Sequence, residues 1–490
     1  MRLDYTPRAM RDEAPDPRLS WLTRAIAAGV GVSAVSALAW ALATLGARPL
    51  DGVEGDVLFE ADRVRAGLAL WVDPAAGAHD YGAVPARYHV LYPPLWSAAL
   101  SVFPTAWAHV AARLVALSAW LAALGLVVRR TPRDRRRWVA LGALFVLGSF
   151  HLTMYVAAGR PDAVAVSLAV IALERACRRG RADAWVGVLF ALAVWTKPNV
   201  LGLAAGVALA SVARPGLVSL VAGGVGASAL IGGALHVASR GAFVEHLLAS
   251  TMQAPSSTLW LAQVHDRAPF FAIPLALAGL VGWRGRRDGA TRIAACALLT
   301  STAWALVSFA KIGSAANYLL EPAGAALLVL AYAPAGALRF RAEWSAGALL
   351  GLQVAWTTVA SVRSATERVP LAFAQARALA DVRATCAAPG AVILADEPGL
   401  ERMLNGRIVA TPFQSTHLAR RGAMPLGPWL SDVRAPEVRC LVMQDDLLER
   451  PAERVSLEHD RFGAELRDAL RARFALAWTR AGLRFYTARR

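Results

Sequence analysis

A group of carboxylates near residue 54 is the first feature of the sequence that could do chemistry. Glu54 and Asp56 lie in the segment EGDVLFEADRVRAG, and Glu60 and Asp62 follow within the same segment. A carboxylate that is held ionised can accept a proton from an incoming hydroxyl group. The same residues could instead cap a helix in a solvated loop. The residues alone leave both interpretations open.

Three short polar turns further along the chain carry cations and amides between apolar runs. Lysine and arginine are the residue types that hold a phosphate and stabilise its extra charge as it departs. A single charge in such a turn could simply extend to the membrane surface, but three turns of this kind favour a shared site. The turns combine Arg160 with Asp162, Lys197 with Asn199, and Lys311 with Asn317 and Tyr318.

An aromatic segment, YHVLYPPLW at residues 88–96, precedes another apolar run. Tyr92 and Trp96 are typical of the aromatic belt at a membrane interface. Pro93 and Pro94 are expected to start a helix. The prolines therefore fix where the chain re-enters the membrane and could shape a cleft beside the carboxylates.

Membrane-spanning helices are the elements that must position these residues. The 490-residue chain is 56% hydrophobic, has a mean hydropathy of +0.43 and is only 18% charged, which indicates lipid as its main solvent. Its net charge of +17 comes largely from arginine clusters between apolar runs, so we predict cytoplasmic loops rather than nucleic-acid binding. The run from Trp21 to Gly46 is too long for a signal-peptide core and is predicted to remain as the first span.

About eleven apolar runs before residue 363 are predicted to span the membrane, since a spanning helix needs about 20 apolar residues. Arginine clusters fall in every second connection, which the positive-inside rule makes cytoplasmic. The N-terminus is then cytoplasmic, and the carboxylate loop, the polar turns and the C-terminus are extracytoplasmic. The runs centre near residues 21–46, 106–128, 138–158, 163–177, 184–197, 199–213, 216–238, 269–283, 291–310, 319–337 and 344–362.

The predicted fold class is mostly α: a polytopic transmembrane helical bundle followed by a small α/β domain. The bundle occupies residues 1–362, with interfacial helices in a first outer loop at 47–105, and the soluble extracytoplasmic domain occupies residues 363–490. Within that domain the sequence predicts short strands, an amphipathic helix and a closing strand. These elements are at residues 391–395, 440–443, 462–474 and 484–487.

One interfacial helix is predicted from Val57 onward in the first outer loop. Apolar side chains recur on one face from Leu58 to Leu68, while Glu60 and Asp62 fall on its wetter side. The two carboxylates upstream would then lie at the N-terminal end, where the helix dipole favours their charged form.

The cysteines define neither a disulfide framework nor a metal site. Cys177 and Cys296 lie in or beside apolar runs and suit core packing. Cys386 and Cys440 share the predicted outer domain, where an oxidising compartment permits a disulfide, and their pairing stays open. No CxxC or HExxH spacing is present.

Four stretches, taken in chain order, resemble the GT-C superfamily of membrane glycosyltransferases, which includes aminoarabinose transferases and protein O-mannosyltransferases. A segment near the C-terminus, GRIVATPFQSTHLARRG, is similar to the outer domain of bacterial members. The four stretches are EGDVLFEADRVRAG with WVDP, YHVLYPPLW, GRPDAVAVSL, and WTKPN followed by GSAANYLLEP.

The resemblance implies a polyprenyl-phosphate-linked sugar donor and a lipid, glycan or protein acceptor whose hydroxyl is reached from outside. It implies a catalytic carboxylate in the first outer loop, at Glu54 or Asp56. The choice stays open because Val53 precedes Glu54, where the superfamily commonly has an Asp-Glu pair. A divalent metal is possible, since the superfamily varies in this respect. The predicted substrate-binding residues are Tyr92, Arg160, Asp162, Lys197, Asn199, Lys311, Asn317 and Tyr318.

Together these observations predict an inverting glycosyltransferase of the cell membrane, inner or plasma, with a first-loop carboxylate as base. Two rival functions remain. A transporter or flippase of a lipid-linked or anionic solute would place its charges near the bilayer midplane and often has two related halves. A non-enzymatic envelope assembly protein would work through the outer domain alone.

Overall fold

A computed structural model of the chain describes residues 17–71, 90–212, 216–251, 255–334, 337, 343–422, 424–450 and 461–489. Residues 72–74 and 88–89 of the stretches quoted above lie outside the described residues. The helices up to residue 385 are α1 (Pro17–Ala43), α2 (Gly52–Arg65), α3 (Leu95–Leu100), α4 (Thr105–Arg130), α5 (Arg133–Gly148), α6 (Phe150–Val156), α7 (Asp162–Arg179), α8 (Ala184–Thr196), α9 (Gly202–Ala210), α10 (Gly216–Ser239), α11 (Ala242–Thr251), α12 (Ser257–Gly285), α13 (Gly289–Ser308), α14 (Leu320–Tyr332) and α15 (Glu343–Thr385).

A small α/β region follows α15, which confirms the predicted change of character. Its elements are β1 (Val392–Ala395), α16 (Pro398–Asn405), α17 (Pro412–Arg420), α18 (Gly427–Arg434), β2 (Val438–Met443), α19 (Gly463–Arg473), β3 (Phe474–Arg480) and β4 (Leu483–Ala488). Helix α15 runs without a break through the predicted domain boundary at 362/363. We call residues 386–489 the C-terminal region, and the boundary itself stays a prediction.

Each of the predicted apolar runs contains a helix, which confirms the mostly helical class. Within the described residues, four helices are long and apolar enough to cross a membrane, and two pairs bent by 77° raise the number to six if each pair is one span. Helices α8 and α14, with 13 residues each, are shorter than a full span. The count of about eleven spans therefore stays a prediction.

The polar turns predicted from the sequence lie at helix ends. Asp162 is the first residue of α7, where the helix dipole favours a carboxylate. Lys197 ends α8, because Pro198 disfavours helical backbone in the residue before it. Asn317 lies in a single 3₁₀ turn that leads into α14. Helix termination thus places these three side chains at helix ends, where all of them are buried.

The helix of the first long loop begins earlier than predicted, at Gly52. Asp51 caps it by accepting from the backbone N–H of Glu54 at 2.8 Å, and Glu54 accepts from the N–H of Asp51 at 3.2 Å. This reciprocal pair is a capping box. Glu54 and Asp56 therefore lie within α2 rather than ahead of it.

The prediction that Glu60 lies on the solvent-facing side of α2 is wrong. The Glu60 side chain is buried and accepts a hydrogen bond from the Ser97 hydroxyl. Helix α3 packs on this side of α2 and removes it from solvent. Asp62 remains partly exposed and pairs with Arg402 of α16.

The sheet of the C-terminal region has the order β1-β2-β4-β3, with β1 parallel to β2 and the other pairs antiparallel. The predicted strands at 391–395, 440–443 and 484–487 and the helix at 462–474 are confirmed. Strand β3 was not predicted, because most of its side chains are exposed or half-buried and it lacks an apolar run. Cys386 and Cys440 form a disulfide that joins the end of α15 to β2.

Two glycines allow the C-terminal region to pack directly on α2. A Cβ atom added at Gly55 of α2 would lie 2.4 Å from the Cα atom of Gly399 in α16. Arg402 reinforces the contact, since its Nη2 and Nε donate to Asp62 Oδ2 at 2.7 and 3.0 Å. Helix α2 is thereby held between the helical bundle and the C-terminal region.

Candidate active site

A cavity of about 320 Å³ lies between α2, the three polar helix ends and the C-terminal region. We call it the active-site cavity. It brings together seven of the eight predicted substrate-binding residues, and only Asp56 of the two candidate bases lines it. The predicted residues on its wall are Asp56, Tyr92, Arg160, Lys197, Asn199, Lys311, Asn317 and Tyr318.

Asp56 presents a buried carboxylate with no protein partner. Its side chain is only 1% exposed, and neither oxygen accepts a hydrogen bond from the described residues. Burial, followed by the charges of Glu60, Asp51 and Glu401, raises the pKa of Asp56 well above its ordinary value. An unpaired buried carboxylate is costly. Asp56 is therefore both basic and free to accept a hydrogen bond from a ligand.

Glu54 is as deeply buried as Asp56 but differs from it in hydrogen bonding and in the direction of its pKa shift. Its Oε1 accepts from Arg113 Nε and from the Gly159 N–H, both at 2.7 Å, and its Oε2 accepts from Arg113 Nη2 at 2.9 Å. Burial would raise the pKa of Glu54, but the Arg113 charge and hydrogen bonds, with Arg48, outweigh burial and lower it to about 2. Glu54 is a weak base whose oxygens are already engaged.

Asp162 lies behind the cavity wall and holds three of the predicted residues. It accepts hydrogen bonds from Lys197 Nζ and Asn317 Nδ2, and from Arg160 Nε at 3.1 Å. These bonds fix the two cations and orient the amide, whose Oδ1 has no partner among the described residues. Asp162 is thus placed to position the ligand-facing groups rather than to face the cavity.

Lys311 is a cation on the cavity wall that forms no ion pair within the described part of the chain. Burial and the nearby Lys197 charge lower the pKa of Lys311. Arg160, by contrast, is shared between Asp162 and Asp51, with 3.3 Å from its Nη1 to Asp51 Oδ2. An anionic group in the cavity would balance the Lys311 charge.

Two tyrosine rings form the wall beside these cations. Lys197 Nζ lies 5.9 Å from the ring centre of Tyr92 and 5.6 Å from that of Tyr318. Asn199 Nδ2 donates to the Tyr318 hydroxyl at 2.7 Å. The rings offer flat apolar surfaces with polar edges, which suit an amphipathic ligand.

Several residues in or beside this cavity were not among those predicted from the sequence. Arg113 could have been found, because an arginine inside an apolar span is expected to face a partner. Asp51 could have been found too, because an Asp three residues before a Glu is a signal for a helix N-cap. Phe413, Gln414 and Arg461 carry no local signal, since they reach the cavity only through the packing of the C-terminal region.

The described residues form no preassembled cluster of ligands for a metal ion. No three His, Cys, Asp or Glu side chains come together in a way that could hold one. Asp51 and Asp56 both line the cavity.

No protein-family model and no curated protein matches the sequence. The structure is similar to the crystal structure of ArnT from Cupriavidus metallidurans in the apo state, with a TM-score of 0.50 and 14% sequence identity. The match covers 96% of this chain and 98% of that chain. At this identity the likeness shows the fold, and it confirms the predicted GT-C-like fold. The fold and the apolar helices together define a multi-pass membrane protein.

Proposed function

We propose that this protein is a membrane glycosyltransferase that moves a sugar from a polyprenyl-phosphate donor to an acceptor hydroxyl group. The observation that carries the proposal is the unpaired Asp56 carboxylate, which shares one cavity with Arg160, Lys197 and Lys311. The likeness to ArnT, an aminoarabinose transferase, supports the same class of reaction.

Asp56 is the base in the proposed reaction. Its carboxylate takes the proton of the acceptor hydroxyl while the hydroxyl oxygen attacks the anomeric carbon of the sugar. The bond from that carbon to the donor phosphate oxygen breaks, and the phosphate keeps the electron pair. A single displacement of this kind inverts the anomeric configuration and needs no covalent intermediate on the protein.

The leaving phosphate is stabilised by the cations of the same cavity. Lys311 has no competing carboxylate within the described residues, so it is free to bind the departing oxygens. Arg160 and Lys197 are held by Asp162 and need no reorganisation as charge develops. Asn317 Oδ1 and the tyrosine rings are assigned to the sugar.

Glu54 acts as a positioning residue in this proposal. It anchors α2 through Arg113 and caps the helix, and so sets where Asp56 points. The sequence leaves both Glu54 and Asp56 open as the base, and we assign the role to Asp56 because its carboxylate has no hydrogen-bond partner among the described residues.

The reaction is proposed to occur on the extracytoplasmic face, with the N-terminus in the cytoplasm. Arginine clustering supports this orientation. The Cys386–Cys440 disulfide supports it too, because disulfides persist in oxidising compartments. The acceptor can be a lipid, glycan or protein of the cell envelope.

The convergence of the polar helix ends on one cavity favours the enzyme over an assembly protein, for which these residues need not meet. Polar groups at helix ends, under a C-terminal region, also differ from the midplane charges expected of a transporter or flippase.

The test uses membranes that contain the protein and a panel of radiolabelled polyprenyl-phosphate sugars. We expect sugar transfer by the wild type and a loss of at least about 100-fold in Asp56→Asn, because the base is removed. Asp381→Asn, the same change at an exposed carboxylate on α15 that does not line the cavity, is the control and should keep wild-type activity. Full activity of Asp56→Asn would overturn the assignment of the base, and no transfer from any donor would overturn the reaction.

A further inference from the structure

A second cavity, of about 290 Å³, adjoins the active-site cavity. Asp51 lines both cavities, whereas Glu54 lines only the second. Two arginines, Arg48 and Arg368, also line it, and we call it the arginine cavity. Apolar side chains complete its wall: Trp40, Met154 and Leu371.

Arg48 carries a positive charge that is balanced only in part, since its guanidinium lies 4.7 Å from the centre of the Trp40 ring and forms no close ion pair within the described residues. Its Nη2 donates to the Ala157 carbonyl at 2.7 Å, but its buried Nη1 has no partner among the described residues. Glu54 is 4.0 Å away and is already engaged by Arg113. Burial, and then the Arg113 charge, lower the pKa of Arg48 to about 10. A buried donor of this kind calls for an acceptor from a ligand.

Arg368 supplies a second cation from α15. It is exposed, its guanidinium lies 5.2 Å from the Phe150 ring, and it forms no ion pair with a carboxylate in the part of the chain described. Guanidinium groups present fork-shaped pairs of N–H donors that match the oxygens of a phosphate. Two of them at one cavity therefore define an anion site.

The apolar side chains of the cavity indicate which kind of molecule carries the anion. Leu371 is 40% exposed, whereas Trp40, near the C-terminal end of the apolar helix Trp21–Ala43, is buried and only borders the cavity. A free ion would gain nothing from these surfaces, whereas a lipid would place acyl-chain or glycerol carbons against them. The cavity also lies near one end of this candidate membrane span, where lipid headgroups are expected.

We propose that the arginine cavity binds the phosphate group of a membrane lipid, with Arg48 and Arg368 as its ligands. This site is separate from the one that receives the leaving phosphate. The inference does not depend on sugar transfer, because it rests on residues that do not line the active-site cavity.

The experiment measures lipid retention by the full-length protein. The protein is delipidated in detergent, supplied with phosphatidylglycerol or with diacylglycerol, which lacks phosphate, and examined by native mass spectrometry. We expect preferential retention of phosphatidylglycerol by the wild type. Arg368→Gln should weaken it about tenfold, since one charge-assisted contact is lost. Arg363→Gln, an exposed arginine on the same helix that does not line the cavity, should leave it unchanged.

Adding inorganic phosphate distinguishes a lipid phosphate from a free phosphate ion as the ligand of the arginine cavity. Competition at millimolar phosphate with no preference between the two lipids would identify a free phosphate as the ligand and overturn the lipid assignment. Equal retention of both lipids without competition, or equal retention of phosphatidylglycerol by the wild type and Arg368→Gln, would overturn the site. Because the readout is binding, its failure is distinct from a failure of glycosyl transfer.

Discussion

Arg113 and Glu54 form a doubly hydrogen-bonded ion pair, with 2.7 Å from Nε to Oε1 and 2.9 Å from Nη2 to Oε2. Arg113 is fully buried in α4. Its guanidinium also donates to the carbonyl groups of Leu45, Arg48 and Pro49. One side chain therefore joins a long apolar helix, the segment that follows α1, and the loop helix that carries Asp56.

Breaking this pair should destabilise the protein. Glu54→Gln leaves Arg113 buried without its counter-charge, and removal of one partner of a buried pair costs about 3–5 kcal/mol. We expect a clearly lower melting temperature in detergent, measured by intrinsic fluorescence. The double variant Glu54→Gln/Arg113→Gln should lose less than the sum of the single variants. Additive losses would contradict the pairing.

The pH dependence of transfer should report Asp56. A base must be ionised, so the rate should fall as the pH is lowered through its pKa. Burial and neighbouring charges place that pKa above the ordinary value of about 4 for Asp. Glu60→Gln removes one raising charge and should shift the midpoint of the rate profile to lower pH. Asp381→Asn, an exposed carboxylate on α15, should not shift it. An unshifted midpoint in Glu60→Gln would argue against Asp56 as the titrating base.

Substitution of Lys311 should reduce the rate of sugar transfer more than it reduces the stability of the protein. Lys311→Met eliminates the charge that we propose binds the leaving phosphate, and we expect kcat to fall about 100-fold. Lys311→Arg keeps the charge and should retain much of the rate. Steady-state assays with a labelled lipid-linked sugar would check both. Equal rates in Lys311→Met and the wild type would place the leaving group elsewhere.

The glycine contact between α2 and α16 should be sensitive to a single methyl group. Gly55→Ala brings a Cβ atom within 2.4 Å of backbone atoms of Gly399, so the two helices must separate. We expect faster proteolysis of the C-terminal region and reduced transfer. Gly46→Ala is the control, because an added Cβ there has no heavy atom within 4 Å. Wild-type protease resistance of Gly55→Ala would show that the contact is dispensable.

Much of the fold could be predicted from local patterns in the sequence. Apolar run length located the helices, and the proline after Lys197 marked the end of α8. Short apolar runs located three strands of the sheet. These features depend on neighbours in sequence, which is why periodicity and breaker residues predict them.

The contrast between Glu54 and Asp56 could not be predicted in the same way. It depends on Arg113, which lies 59 residues away from Glu54. The burial of Glu60 likewise depends on Ser97 and α3. Such long-range contacts decide which of several similar carboxylates is free, and only the folded chain reveals them.

Helix α15 has 43 residues, and at about 1.5 Å per residue it is roughly 65 Å long. That is about twice the hydrocarbon thickness of a bilayer. Its first part packs on α1 and α12, and it also contacts β3 and β4. The C-terminal region is therefore attached to the helical bundle through a continuous helix. If α15 tilted to match a thinner membrane, Phe413 and Arg461 would move relative to the helices that form the rest of the active-site cavity. The shape of that cavity is therefore expected to depend on bilayer thickness.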